Sequence, residues 1–367
     1  MPAPTATTTT APPGFDYGNA RVRAMWGRLL DRAALDRMLG RSADEVLDIL
    51  GLGEYAPDVR HALGRVRGAA AIHRAVSRNL ARTLHAVRGF YGGDAGSALG
   101  LVLGRWDAAN VVTLLRAQVA EADTDDAVSM IAAAGAMDEA AARAIAEQPG
   151  LTAAVRLMVT WAIPDESTAH AALHALPAYE STGDLAVLEE EVLRAWATEL
   201  DRALARLGRA GEPMAPLREE VDQRNALLAL RLLALARERE APAPPPRERF
   251  LPGGLIDRRV FAAAASAASR QDAAAALAAP LPAAPWRPAL TRWVTDGDLS
   301  RLQRELQVSL TLRTMSLFRS GDPLGVAVPL AYVFAKENEA RNVRIIAYGA
   351  ANGAPPAVVR DQVVAPW

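Results

Sequence analysis

The sequence predicts an all-α fold, and three observations carry that expectation. Ala, Leu and Arg dominate while aromatic residues make up only 5% of the chain, a composition with high helix propensity and low strand propensity. Segments such as Leu185 to Leu207 place apolar residues at three- and four-residue steps with acids early, the pattern of an amphipathic helix lying on a core. The breaks between such segments are rich in Gly or Pro: Tyr91-Gly92-Gly93-Asp94, Gly211-Glu212-Pro213, Ala241 to Arg247, Ala279 to Pro285, and Gly321-Asp322-Pro323.

In chain order, residues 1–13 are Thr, Ala and Pro without an apolar core or a basic start, so they read as a disordered tail and not as a secretion signal. A helical domain is expected over 14–122 and a second over 123–240. The Pro-rich run in 241–249 forces extended backbone and reads as a linker. A third helical domain is expected over 250–367. A chain of 367 residues, 51% of them hydrophobic, is long for one helical domain, which agrees with several.

A repeat supports three related domains. Asp107-x-x-Asn110, Asp222-x-x-Asn225 and Glu339-x-x-Asn342 each read acid, two residues, Asn, and their asparagines lie 115 and 117 residues apart. Arg116 and Arg231 stand six positions after the first two asparagines, and Tyr348 takes that place in the third copy. Each copy follows a turn with Gly and an acid. A second element repeats as well, since Gly183-Asp184-Leu185 and Gly297-Asp298-Leu299 each open a long helical pattern. Periods of this length mean domain triplication and not a solenoid of short units. Acid and Asn at i and i+3 share one helix face, and Asn offers both donor and acceptor to backbone groups of a neighbouring segment. The repeated positions are therefore expected to support the fold.

Composition excludes several functions. Forty-one basic against forty-two acidic side chains give a net charge of -1, so no excess of either sign draws nucleic acid or an anionic membrane. Cysteine is absent, which removes disulfides, thiolate metal sites and thiol nucleophiles together. No run approaches the roughly 20 apolar residues of a membrane-spanning helix. The only lysine is Lys336, in Ala335-Lys336-Glu337, so no phosphate-binding loop with Gly-Lys-Ser/Thr exists. No Gly-x-Ser-x-Gly elbow is present. His170 and His174 have zinc-site spacing but lack the Glu after the first His and any evident third ligand. Gly96, Gly100 and Gly104 form a small-residue series that reads as close packing of a soluble helix. Arginines in 60–82 and 341–344 read as solvated faces or as contacts to carboxylate-bearing partners. No catalytic, cofactor-binding or metal-binding residue is expected.

The start Phe15-Asp16-Tyr17-Gly18-Asn19-Ala20-Arg21-Val22-Arg23 resembles the opening of the C subunit of prokaryotic V/A-type ATPases, the counterpart of the eukaryotic d subunit. Asp322-Pro323-Leu324-Gly325-Val326, Pro329 to Val333, Lys336 to Glu339 and Asn342-Val343-Arg344 resemble that family's closing domain, and Arg105 to Asn110 followed by Leu114 to Ala117 resembles its acid-to-asparagine pattern. The resemblance implies a funnel-like, pseudo-threefold helical protein without a catalytic site. It implies a position on the cytoplasmic face of the membrane, with a central axle made of the D and F subunits and a rotor ring of proteolipid subunits as partners. Torque would pass between them and couple ATP turnover to proton or sodium transport. The competing readings from the residues alone are a generic helical scaffold or interaction protein and an unrecognised enzyme whose site is dispersed over the domains.

Overall fold

The structure, a computed structural model, describes residues 14–238 and 249–365. The expected tail at 1–13 and all but the last residue of the expected linker at 241–249 lie outside them. The described residues hold eighteen α-helices and no strand, so the fold is all-α. In order the helices are α1 (Asp16–Trp26), α2 (Arg32–Met38), α3 (Ala43–Gly51), α4 (Ala56–Leu63), α5 (Gly68–Arg88), α6 (Gly93–Val119), α7 (Thr124–Met130), α8 (Glu139–Ala146) and α9 (Leu151–Trp161). They continue with α10 (Glu166–Thr182), α11 (Ala186–Leu207), α12 (Ala215–Glu238), α13 (Arg258–Ala265), α14 (Arg270–Ala278), α15 (Ala283–Asp296), α16 (Leu299–Ser320), α17 (Ala327–Ala351) and α18 (Pro356–Arg360). The amphipathic pattern read over Leu185 to Leu207 is α11.

Local chemistry sets many of these ends. Side chains of Asp31, Asp138, Asp165, Asp257 and Ser269 cap the first turns of α2, α8, α10, α13 and α14, each satisfying an N–H that the helix leaves unpaired. Ser42 and Glu45 form a reciprocal capping box on α3. Gly183 and Gly297, the glycines of the second sequence repeat, close α10 and α15 in the left-handed conformation at φ 70° and 72°, which a Cβ would disfavour. The acids that follow then accept from the next helix: Ala186 N–H donates to Asp184 and Arg301 N–H to Asp298.

The chain divides into two compact units. The first takes residues up to Leu103 together with Leu317–Ala365, and the second takes Gly104–Ser316. The boundaries fall inside α6 and α16, so the sequence boundaries at 122/123 and near 250 lie within the second unit.

In the first unit α17 is the central element and packs against α1, α2, α3 and α5. Almost its whole length is buried, polar residues included. A helix buried on most sides needs partners around it, and here α1, α2, α3 and α5 from the beginning of the chain and α18 from its end pack on α17. In the second unit Phe261, Leu277, Trp286, Leu290, Trp293 and Leu306 form a core with the apolar face of α12.

One described helix, α6, is long and apolar enough to cross a membrane, and 72% of its most apolar window is buried inside the protein. That burial accounts for its composition as a core helix. The glycine series on α6 does not behave as expected. A Cβ at Gly96 would meet the Tyr91 carbonyl oxygen at 2.9 Å, but at Gly100 and Gly104 it would meet nothing within 4 Å. Close packing explains only the first of the three.

Candidate functional site

The three acid–asparagine motifs sit on α6, α12 and α17 and hold backbone. Asn110 clamps one residue with both ends of its amide: Nδ2 donates to the Ala132 carbonyl at 2.8 Å and Oδ1 accepts from the Ala132 N–H at 3.0 Å. Asp107 accepts from Ala136 N–H at 2.7 Å and Met137 N–H at 3.0 Å. The second copy repeats this atom for atom. Asn225 pairs with the carbonyl and N–H of Leu251 at 2.8 and 2.9 Å, and Asp222 accepts from Leu255 and Ile256 at 3.0 and 2.8 Å. In both copies the acid binds the N–H groups four and five residues beyond the clamped residue. Asp138 and Asp257 follow at once as helix caps.

This register needs a glycine. A Cβ at Gly135 or at Gly254 would collide with the carboxylate of Asp107 or Asp222. The loops therefore carry Gly135-Ala136-Met137-Asp138 and Gly254-Leu255-Ile256-Asp257, two matching tetrapeptides that mark the acceptor side of each clamp. They are the signal by which the clamped loops could have been found in the sequence.

The third copy clamps Val364, whose carbonyl and N–H pair with Asn342 at 2.8 and 3.0 Å, while Asn338 adds a bond of 2.7 Å to the same carbonyl. Its acid is longer by a methylene and takes a different partner. Glu339 accepts from Leu30 N–H at 2.5 Å and from the Tyr55 hydroxyl at 2.6 Å, and it pairs with Lys336. Leu30 immediately precedes Asp31, the cap of α2, so Leu30-Asp31 stand where Met137-Asp138 and Ile256-Asp257 stand in the other copies. The third motif is completed by a segment near the other end of the chain.

Arg116 binds Glu189 through Nε and Nη2 at 2.6 and 2.7 Å, and Arg231 donates to Gln303 at 3.2 Å. Glu189 and Gln303 each lie five residues after the acid of Gly183-Asp184 or Gly297-Asp298, so these contacts join the two sequence repeats to each other. Tyr348 in the third copy is exposed. The Arg116–Glu189 pair leaves the arginine side chain 64% accessible, and exposed pairs contribute little. Arg116→Ala is expected to lower unfolding stability by less than about 1 kcal/mol in a denaturant titration.

Burial pushes the Asp222 carboxyl up to about 6, although the N–H groups of Ile256 and Leu255 and nearby Arg218 pull it down. A carboxyl whose folded value lies above its unfolded value of 3.8 binds protons more tightly when folded. Its contribution is full below the unfolded value and is lost as pH rises through 6. Relative to Asp222→Asn, the native chain is expected to lose on the order of 3 kcal/mol of stability between pH 4 and 7. Parallel pH profiles for the two proteins would contradict this. Tyr55 is pushed well above the ordinary phenol range by burial and then by the Glu339 charge.

His170 and His174 are both exposed on α10, and His170 Nδ1 lies 2.8 Å from the Glu166 carbonyl oxygen. No group of three metal-ligating side chains occurs among the described residues. The motif carboxylates are occupied by backbone N–H groups, Tyr55 and Lys336, which gives them the role of braces between helices and loops.

A helical protein braced by repeated clamps on three long helices is the class these observations define. The family model described as ATP synthase (C/AC39) subunit matches residues 18–362, and the chain belongs to that family. The C subunit of a V-type ATP synthase from Deinococcus radiodurans is 28% identical over 368 residues, spanning 96% of this chain and 92% of the relative. The C subunit of an A-type ATP synthase from Halorubrum lacusprofundi is 27% identical over 95% of this chain and 97% of its own length. The corresponding V-type protein of Thermus thermophilus is 27% identical over 96% and 99%.

Proposed function

We propose that the chain is a non-catalytic central-stalk subunit of a rotary V/A-type ATP synthase. It acts as a socket on the cytoplasmic face of the membrane, joining the D/F axle to the proteolipid ring so that ATP turnover and ion translocation are linked. The observation that carries this reading is the family match across 18–362, which spans all three motifs.

A torque-bearing part works by stiffness. Each clamp ties a loop to a long helix through buried, charge-assisted or paired hydrogen bonds, the kind that resist local opening. In this reading the chain is three related helical domains in a pseudo-threefold, funnel-like arrangement, each braced by one acid–asparagine motif. The Asn342–Val364 clamp and the Leu30–Glu339 bond support counting residues from both ends into one of the three.

The test is recovery of the tagged chain from detergent-solubilised membranes of its own host. Axle and ring subunits are expected to come with it. Recovery of soluble proteins alone, with the motor demonstrably present in the same membranes, would sink the reading.

A further inference from the structure

The first unit contains a cavity of about 310 Å³ whose lining includes Arg21, Arg28, Arg82, Lys336, Glu54 and Phe90. Four of these carry positive charge and one negative. Asp58 and Glu339 behind the lining bring the acids to three, and Arg78, ion-paired with Asp58 at 3.5 Å, brings the bases to five. A surplus of two positive charges remains around one concavity.

The cations are held in place by different means. Lys336 is 4% exposed, sits over the Tyr55 ring at 4.6 Å and pairs with Glu339, with the Tyr55 hydroxyl at 3.4 Å. An ammonium has three N–H groups, so one has no protein acceptor among the described residues. Arg82 binds Asp58 at 2.8 Å. Arg21 stacks on Phe90 at 4.5 Å and donates to the Tyr17 hydroxyl at 2.9 Å. Arg28 reaches Glu54 only at 3.9 Å, and both side chains are more than half accessible. A buried ammonium with a spare N–H, two arginines not bound tightly to any carboxylate and an aromatic wall are the elements that bind oxyanions. The volume stands at the low end for ligand pockets, which begin near about 300 Å³.

We infer that this cavity is an oxyanion receptor that takes one carboxylate or phosphate group, with Lys336 as an inner donor and Arg21 and Arg28 as its exposed cations. The group could be carried by a small soluble anion or by an acidic side chain of a docked polypeptide, and two arms of one experiment separate these.

In the first arm the melting temperature of the full chain is followed with inorganic phosphate, citrate or glutamate against sodium chloride of equal ionic strength. A free oxyanion is expected to raise it by about 2 °C or more at saturation. In Arg21→Ala/Arg28→Ala, changed only at exposed side chains, the affinity is expected to fall at least about tenfold. Arg21→Lys/Arg28→Lys keeps the charge and is expected to restore part of it. In the second arm the native chain and both double variants are used to recover partners from host membranes. An acidic side chain as the occupant predicts loss of recovery with the alanine pair, restored with the lysine pair, without any thermal response to free anions. Absence of a thermal response together with equal recovery by all three proteins overturns the inference. If the native chain recovers no motor subunits, the rotary reading fails separately, and the thermal arm alone decides for or against the cavity.

Discussion

Glu339→Ala is expected to be among the most damaging single changes in the chain, costing about 3–5 kcal/mol of unfolding stability. Glu339 is 2% exposed and Lys336 4%, so removing the carboxylate leaves an ammonium buried without its counter-charge, which is the costly half of breaking a buried pair. The same change frees the Leu30 N–H and the Tyr55 hydroxyl, and an orphaned buried polar group adds roughly 1–3 kcal/mol. The diagnostic comparison is the double variant Glu339→Gln/Lys336→Met. Without a charge on either partner, it is expected to recover at least about 1.5 kcal/mol relative to Glu339→Gln alone. A denaturant titration showing less than about 1 kcal/mol of loss for Glu339→Ala would mean that this cluster does not hold the first unit together.

The helices were legible because an Ala-, Leu- and Arg-rich chain with three- and four-residue apolar spacing leaves little alternative. Of the turn signals, Gly321-Asp322-Pro323 falls between α16 and α17, whereas Gly93-Asp94 and Ala283 to Pro285 lie in the first turns of α6 and α15. Gly211-Glu212-Pro213 lies in a 3₁₀ segment, and Ala241 to Arg247 is outside the described residues. The repeated motifs were legible as positions. Their partners were not, for a physical reason. An asparagine clamp binds the N–H and carbonyl of one residue, and Ala132, Leu251 and Val364 have no side-chain feature in common. Only the steric requirement beside the acids leaves a trace, in Gly135 and Gly254. The third copy was harder still, because Glu339 finds its backbone donor 309 residues away, a separation at which no local pattern operates. The oxyanion cavity was invisible for the same reason: its cations come from α1, α5, α17 and the chain just after α1, and Lys336 stands out in the sequence only as a lone lysine outside any phosphate-binding loop. The glycines at 100 and 104 mislead in the opposite direction, since their spacing suggests a contact that the fold does not make there.

Asn225→Ala tests whether the clamps owe their strength to burial. Leu251 is 5% exposed and Asn225 fully buried, so the mutation strands a carbonyl and an N–H where water does not reach them. Two orphaned backbone groups at about 1–3 kcal/mol each give an expected loss of roughly 2–5 kcal/mol. Asn342→Ala removes the same pair of bonds from Val364, but Val364 is only half-buried and its carbonyl keeps the bond from Asn338, so water and Asn338 replace part of what is lost. Its cost is therefore expected to be smaller by at least about 1 kcal/mol. Asn110→Ala should fall between the two, since Ala132 is also half-buried but lies in the interior of the chain. Hydrogen exchange gives an independent reading: the Leu251 amide is expected to lose protection in Asn225→Ala by a factor matching the measured loss of stability. Equal costs for all three substitutions would show that solvent access does not set the strength of the clamps. The graded order would tie the repeated motif to the stiffness that a torque-coupling part requires, because the clamp that water cannot replace is also the one that cannot open locally under load.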